Sequence, residues 1–232
     1  LILTGRRVEA LDALAGELGA RALAVDLSDR GQVERLIDDA GAVDLLIANA
    51  ALPGSGGIET FTVDELDRAL EVNLRAPIVL AHALLPAMLA RRNGHLLFMS
   101  SLAGKSATTG SAVYSATKFG LRGFAAGLRA DLHASGVGVS TVFPGFIRDA
   151  GMFANSGVRL PPGIGTRSPK DVAHAVVEAI ERNRAEVDVA PLSLRAGAAV
   201  AGLAPALAMS VARRLGSDAI AREFAQAQRD KR

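Results

Sequence analysis

The 232-residue chain contains no cysteine and no tryptophan, a single tyrosine, and aromatic side chains at only 4% of positions. Without cysteine there is no disulfide scaffold, no thiolate nucleophile and no Cys-based metal site. Scarce aromatics argue against a base-stacking platform, and a formal net charge of +2 supplies no basic stripe to follow a phosphate backbone, so nucleic acid is not an expected partner. The cationic residues are 22 Arg against 4 Lys, dispersed along the chain. His82, His95, His133 and His174 fall on different segments without metal-ligand spacing, and no metal is expected. The acid pairs Asp38-Asp39 and Asp64-Glu65 read as solvated helix faces rather than a glycosidase-like carboxylate pair. No secretory signal is visible in these residues, and a cytoplasmic location is the expectation.

Half of the residues are hydrophobic, enough for a substantial core, and the length suits one α/β domain covering 1–232. Short apolar runs suited to strands buried on both faces are LIL, RALAV, VDLLIAN, HLLFMS and VGVSTVF, with VDVA at 187–190 a weaker one. Helical spacing separates them, from Arg7 to Leu18, through Ala40 after a cap at Ser28 or Asp29, from Thr62 to Ala90, and from Ser111 to Ser135. Ser168-Pro169 opens a further helix with a cap and a first-turn proline. Such alternation predicts a Rossmann-like, doubly wound parallel sheet.

Chemistry concentrates in the run SAVYSATKFGLRGFAAGL. Tyr114 and Lys118 stand four residues apart, on one face of a helix, where the Lys charge can favour the phenolate. Ser101, thirteen residues before Tyr114, closes the strand HLLFMSS, and a hydroxyl there can hydrogen-bond a carbonyl or alcohol while the tyrosine exchanges its proton. An exposed Tyr/Lys pair on an amphipathic helix is the ordinary alternative. The flanking small residues Ser111, Ala112, Ser115, Ala116 and Thr117 and the preceding serine-ended strand favour the acid/base device.

With these residues the chain resembles the classical short-chain dehydrogenase/reductase family over nearly its whole length. The segment LEVNLRAP offers Asn73 as fourth member of a Ser, Tyr, Lys and Asn tetrad, Ala48-Asn49-Ala50-Ala51 is similar to the family's NNAG, and Pro144-Gly145 is similar to its PG turn. The resemblance implies an oxidoreductase that interconverts an alcohol and a carbonyl by hydride transfer, with Asn73 supporting a water-linked proton relay. It also implies a homo-oligomer. The alternative reading is a non-catalytic regulatory or scaffold protein that keeps the fold.

The family's first strand and its TGxxxGxG loop, where the cofactor pyrophosphate meets a helix N-terminus, have no counterpart here. Leu1 to Arg7 looks like the family's second strand, and the expectation is a fragment lacking about one βαβ half-unit, roughly thirty residues. Gly54-Ser55-Gly56-Gly57 reads as a flexible loop near the site. The resemblance assigns cofactor contacts to Asp26 and Leu27 at the adenine, to Asn49 and Ala50 at the adenine ribose, to Tyr114 and Lys118 at the nicotinamide ribose, and to Pro144, Gly145 and Ile147 at the carboxamide. Gly5 stands where relatives that use NAD place an acid, and Arg6 and Arg7 follow, so NADP(H) is expected in preference to NAD(H). Asp149 occupies the position of a phosphate-contacting threonine, which puts that contact in question.

Residues 150–167 read as a mobile substrate loop with Met152, Phe153 and Leu160 as apolar lining or plain packing, and 191–232 as a C-terminal helical region. Within it, 196–212 is uncharged and rich in Ala and Gly, with Pro205 inside it and arginines at both ends. It fits a substrate-lid helix or a subunit packing surface, and peripheral membrane contact is the other reading.

Overall fold

The computed structural model describes residues 1–161, 164–214 and 217–229. Pro162 and Gly163 of the substrate loop, and residues 215, 216 and 230–232 of the C-terminal region, lie outside them. Strands β1 (Ile2–Gly5), β2 (Arg21–Ala24), β3 (Leu45–Ala48), β4 (Gly94–Met99), β5 (Val137–Pro144) and β6 (Glu186–Val189) alternate with helices α1 (Val8–Leu18), α2 (Arg30–Ala40), α3 (Val63–Leu70), α4 (Ala76–Ala90), α5 (Ala112–Asp131) and α7 (Pro169–Glu181). A short α6 (Gly151–Ala154) lies in the 150–167 segment, and α8 (Leu192–Leu203), α9 (Pro205–Arg214) and α10 (Ser217–Gln228) follow β6. All strand pairs are parallel. This is the doubly wound fold expected from the alternation.

Local chemistry accounts for the element ends. Asp29 caps α2 by accepting from the Gln32 amide at 3.1 Å, and Thr62 and Ser168 start α3 and α7 with reciprocal capping boxes through Glu65 and Asp171. Strands β4 and β5 are buried along almost their whole length, as non-alternating apolar strands between two helix layers must be. One core layer packs Leu84 and Met88 of α4 and Leu121 and Ala125 of α5 on Leu96, Phe98 and Val139. On the other face Ala175 and Ala179 of α7 cover Leu97 and Val142.

The sheet is split in two, β1-β2 and β3-β4-β5-β6. Leu1 and Gly5 accept from the second strand, at 3.0 Å each, and Asp44 accepts from His95 at 2.9 Å. Backbone groups of successive residues point to opposite edges of a strand, so Ile2 and Thr4 on β1 and Leu45 and Ile47 on β3 turn theirs to open edges. Leu45 and Ile47 are 39% and 44% exposed. The two sheets are joined instead by side chains, Val25, Val33 and Leu36 packing with Ala76 and Leu80 while Leu46 leans on them.

Candidate active site

Strand β4 delivers Ser100 and Ser101 to its carboxyl end, where ligands of open α/β sheets bind. Ser100 is buried and donates to the Lys118 carbonyl at 3.1 Å, fastening the strand end to α5. Ser101 is extended and opens a tight turn, its Oγ accepting from the Ala103 amide at 3.2 Å. Before α5, Ser111 Oγ donates to the Thr108 carbonyl at 2.7 Å and accepts from the Thr108 amide at 2.9 Å, which fixes the approach to the helix. Tyr114 follows in the first turn and is half-buried, with its phenol close enough to the Ser101 hydroxyl to be weakly acidified by it, while Ser101 Oγ donates to the Pro144 carbonyl at 3.4 Å. Lys118, one turn on and 2% exposed, donates from Nζ to the Met99 carbonyl at 2.8 Å.

Burial dominates the electrostatics. It pushes the Tyr114 phenol up to about 12, with the Ser101 hydroxyl acting weakly in the other direction. Burial also lowers the Lys118 ammonium to about 8. The expected depression of the tyrosine by the lysine is therefore corrected. Nζ is turned to Met99 and lies 5.6 Å from the centre of the Tyr114 ring, and both groups are shifted toward their neutral forms because both are withdrawn from water.

Asn73 is fully buried in a π-helical turn, Glu71–Arg75, that interrupts the run from α3 into α4. Its Oδ1 accepts from the Leu52 amide at 2.6 Å, and its Nδ2 donates to the Leu52 carbonyl at 2.9 Å and to Thr117 Oγ1 at 3.5 Å. The side chain thus clamps the loop after β3 against α5. That loop is not the flexible element its glycines suggested: Pro53, Gly54 and Gly56 are buried, and a Cβ on Gly54 would sit 3.0 Å from the Tyr114 amide. Gly104 is under the same constraint, since a Cβ there would come within 2.6 Å of Ser100 Oγ and 2.7 Å of the Lys118 carbonyl. Neither role has a local signature, because each contact joins segments far apart in the chain.

On the cofactor side, Asn49 and Ala50 are exposed just past β3. Gly145 follows β5 and donates to the Val189 carbonyl at 3.0 Å. Phe146 and Arg148 both pair with Arg167, leaving the backbone groups of Ile147 turned the other way, toward the side where a carboxamide would be met. Asp149 adopts φ 71°, is exposed, and pairs with Arg148 at 3.3 Å. At the end of β1, next to Gly5, Arg6 lies 3.8 Å from Asp26. Asp26 also accepts from the Ser28 amide at 2.9 Å and its hydroxyl at 2.7 Å. Burial raises its carboxyl, and the Ser28 hydrogen bonds together with Arg6 and Arg68 overcome this and hold it below the ordinary value. Leu27 is half-buried beside it and Arg7 is exposed. A nicotinamide nucleotide fits the donor set at the α5 end: Lys118 is a buried ammonium with three donors and one protein acceptor, Met99, among the described residues.

Aromatic contacts tie the 150–167 segment to α10 and to the turn after β5. Phe153 of α6 lies 5.0 Å from Phe146 and 6.3 Å from Phe224 of α10, ring centre to ring centre. Thr109 donates to Asp218 at 2.6 Å, which fastens α10 to the loop before the Tyr114 helix. Met152 and Leu160 are half-buried in the same loop. Among the described residues no three His, Asp or Glu side chains converge on a metal position. His95 is buried against Ser140 at 2.9 Å, whereas His82, His133 and His174 are exposed.

A parallel, doubly wound sheet with a serine, a tyrosine and a lysine gathered at its carboxyl edge defines a dinucleotide-binding oxidoreductase fold. The family model described as short chain dehydrogenase matches residues 1–159, and the chain belongs to that family. It is 35% identical over 177 residues to "Ketoacyl reductase HetN" of Nostoc sp., covering 74% of this chain and 62% of that protein, so it spans about three-fifths of that relative's length. An uncharacterized oxidoreductase of Staphylococcus aureus is 32% identical over 202 residues, with 84% of this chain and 85% of that protein covered. Among solved structures, a short-chain dehydrogenase from Sphingobium yanoikuyae in complex with NADPH superposes with a TM-score of 0.76 at 26% identity, over 89% of this chain and 84% of that one.

Proposed function

We propose that the protein is an NAD(P)-dependent oxidoreductase that interconverts an alcohol and a carbonyl, with NADP(H) preferred. The observation that carries this reading is the Ser101–Tyr114 hydroxyl pair at the carboxyl end of β4, with the Lys118 ammonium buried one turn behind it. When bound, the nicotinamide supplies or accepts the hydride. Lys118, Ile147, Gly145, Pro144, Asn49 and Ala50 are the residues placed to hold it, with Gly5, Arg6, Arg7, Asp26 and Leu27 at its adenosine end. Ser101 donates to the substrate oxygen and fixes its position. Tyr114, protonated in the resting site, gives its proton to that oxygen as the carbonyl takes up hydride and is reprotonated from water; in the reverse direction the phenolate, having lost its proton to water, takes the alcohol proton as the hydride leaves. Asn73 acts as a positioning residue that holds the Leu52 loop and Thr117 beside the proton path.

Support for NADP(H) comes from the absence of an acid at Gly5, the cationic pair Arg6 and Arg7, and the NADPH bound by the Sphingobium relative. Asp26 neutralises part of the Arg6 charge at 3.8 Å. The test is a panel of ketones and acyl carbonyls assayed with NADPH and NADH, for the parent and for Arg6→Ala. Consumption of NADPH in preference to NADH is expected, with the variant weakening NADPH about tenfold more than NADH, the loss of one charge-assisted phosphate contact. A parental preference for NADH, or equal losses with both cofactors, rejects the NADP(H) assignment. Tight nucleotide binding without turnover of any carbonyl favours a regulatory protein on the same fold.

A further inference from the structure

Helix α8 is amphipathic in the wrong sense for a helix that belongs only to a water-soluble surface. The residues it turns inward are Ala198 and Ala201, with Leu194 half-buried on the same face next to Gly145. Leu192, Ala196, Ala199, Val200 and Leu203 recur at the spacing of one helical face, and all are exposed, Leu192 by 76%, Val200 by 50% and Leu203 by 91%. Core packing does not require these larger side chains. Past the corner at Ala204, α9 also leaves Leu207 and Val211 exposed, by 61% and 46%, four residues apart on one face. By contrast, the one described helical run long and apolar enough to cross a membrane, Val63–Ala90, carries the buried Asn73 and packs in the core.

Charge selects the partner. Between Asp188 and Asp218 the chain has no carboxylate and three arginines. Arg195 borders the α8 stripe and lies 3.9 Å from Asp188. Arg213 and Arg214 end α9, exposed and without an ion pair among the described residues. At 12 and 10 residues, neither helix can span a bilayer. Two such faces, each about 10 Å wide and roughly 15–18 Å long, offer about 300 Å2, far below the ~800 Å2 that each partner contributes to a stable protein interface. A bilayer needs no such area, because an apolar helix face sinks about 5–10 Å into the headgroup boundary while flanking cations meet anionic lipid.

We infer that the α8–α9 hairpin docks the protein on an anionic phospholipid surface, with Leu203 and Leu207 inserted and Arg213 and Arg214 at the headgroups. The purified protein should float with vesicles of equal phosphatidylglycerol and phosphatidylcholine, bind pure phosphatidylcholine weakly, and lose part of its binding at raised salt. The double substitution Leu203→Asp, Leu207→Asp should reduce vesicle binding about tenfold or more, with thermal unfolding unchanged because both side chains are exposed. The chain has no tryptophan, so Leu203→Trp introduces a single indole reporter. Its emission should shift to the blue on anionic vesicles and be quenched by lipids brominated on the acyl chain. Absence of flotation, retention of binding by the double variant, or an indole that stays in water overturns the proposal. So does self-association without lipid binding that the double variant abolishes, since a second copy then covers the face.

Discussion

At the scale of single residues, the site holds a protonated phenol beside a lysine whose ammonium is weakened by burial and still carries its charge at neutral pH. Tyr114, at about 12, carries its proton at every physiological pH. Tyr114→Phe keeps the ring and removes the proton, so kcat should fall about 10² to 10⁴-fold while the dissociation constant for the nucleotide, measured by fluorescence titration, changes little. Lys118 gives a second expectation through linkage. Its ammonium is held to about 8 in the folded chain against an ordinary 10.5, so the unfolded state binds the extra proton between these values. The buried charge costs the folded state stability below pH 8, and that cost is relieved as pH rises toward 10.5. Lys118→Met should abolish this rise and be more stable near neutrality by on the order of 3 kcal/mol, as read from urea unfolding across the window. Equal slopes for parent and variant would show that the lysine titrates normally.

At the scale of elements, the site depends on close approaches between segments that are regular in themselves. The turn after β4 sits on α5 only because Gly104 has no side chain. Gly104→Ala places a methyl group against Ser100 and the Lys118 carbonyl, an overpacking that typically costs about 1–3 kcal/mol. It should also displace Ser101 from Tyr114, so the urea midpoint and kcat are expected to fall together. An alanine variant with parental turnover would show that the turn is not held so tightly. The π turn at Glu71–Arg75 belongs to the same scale. It changes the register of an otherwise continuous helix and carries Asn73 to the Leu52 backbone, a local irregularity of the kind often found at functional sites.

At the scale of the whole molecule, side-chain packing bridges the seam between the two sheets of residues 1–232. Along it Ile2, Thr4, Leu45 and Ile47 turn backbone groups to edges that no described strand of these residues pairs. Amide hydrogen exchange should show it. The amides of Ile2, Thr4, Leu45 and Ile47 are expected to exchange orders of magnitude faster than those of Leu96, Leu97, Val139 and Val142, which lie in the paired and buried centre. Uniform protection across all six strands would mean that the seam is closed in solution.

Much of this was written locally. The apolar runs placed every strand to within a residue or two, most plainly β4 and β5, because a strand buried on both faces needs an unbroken hydrophobic string. Ser168-Pro169 announced a helix start through its own chemistry, while the reciprocal bonds of Thr62 with Glu65 and of Ser168 with Asp171 emerged only in the fold. Tyr114 and Lys118 shared a helical face by spacing alone. Tertiary structure decided the rest. Whether Lys118 would act on the phenol or turn to the Met99 carbonyl depended on how far both were drawn from water, and Asn73 found its partner 21 residues back in the chain. Gly54 read as part of a flexible loop and is constrained in the fold, as is Gly104, since what a missing Cβ makes room for is set by whichever segment packs against it. The outward-facing leucines of α8 were ambiguous for the same reason: a sequence shows which residues share a face, and only the packed molecule shows which face is left to the solvent.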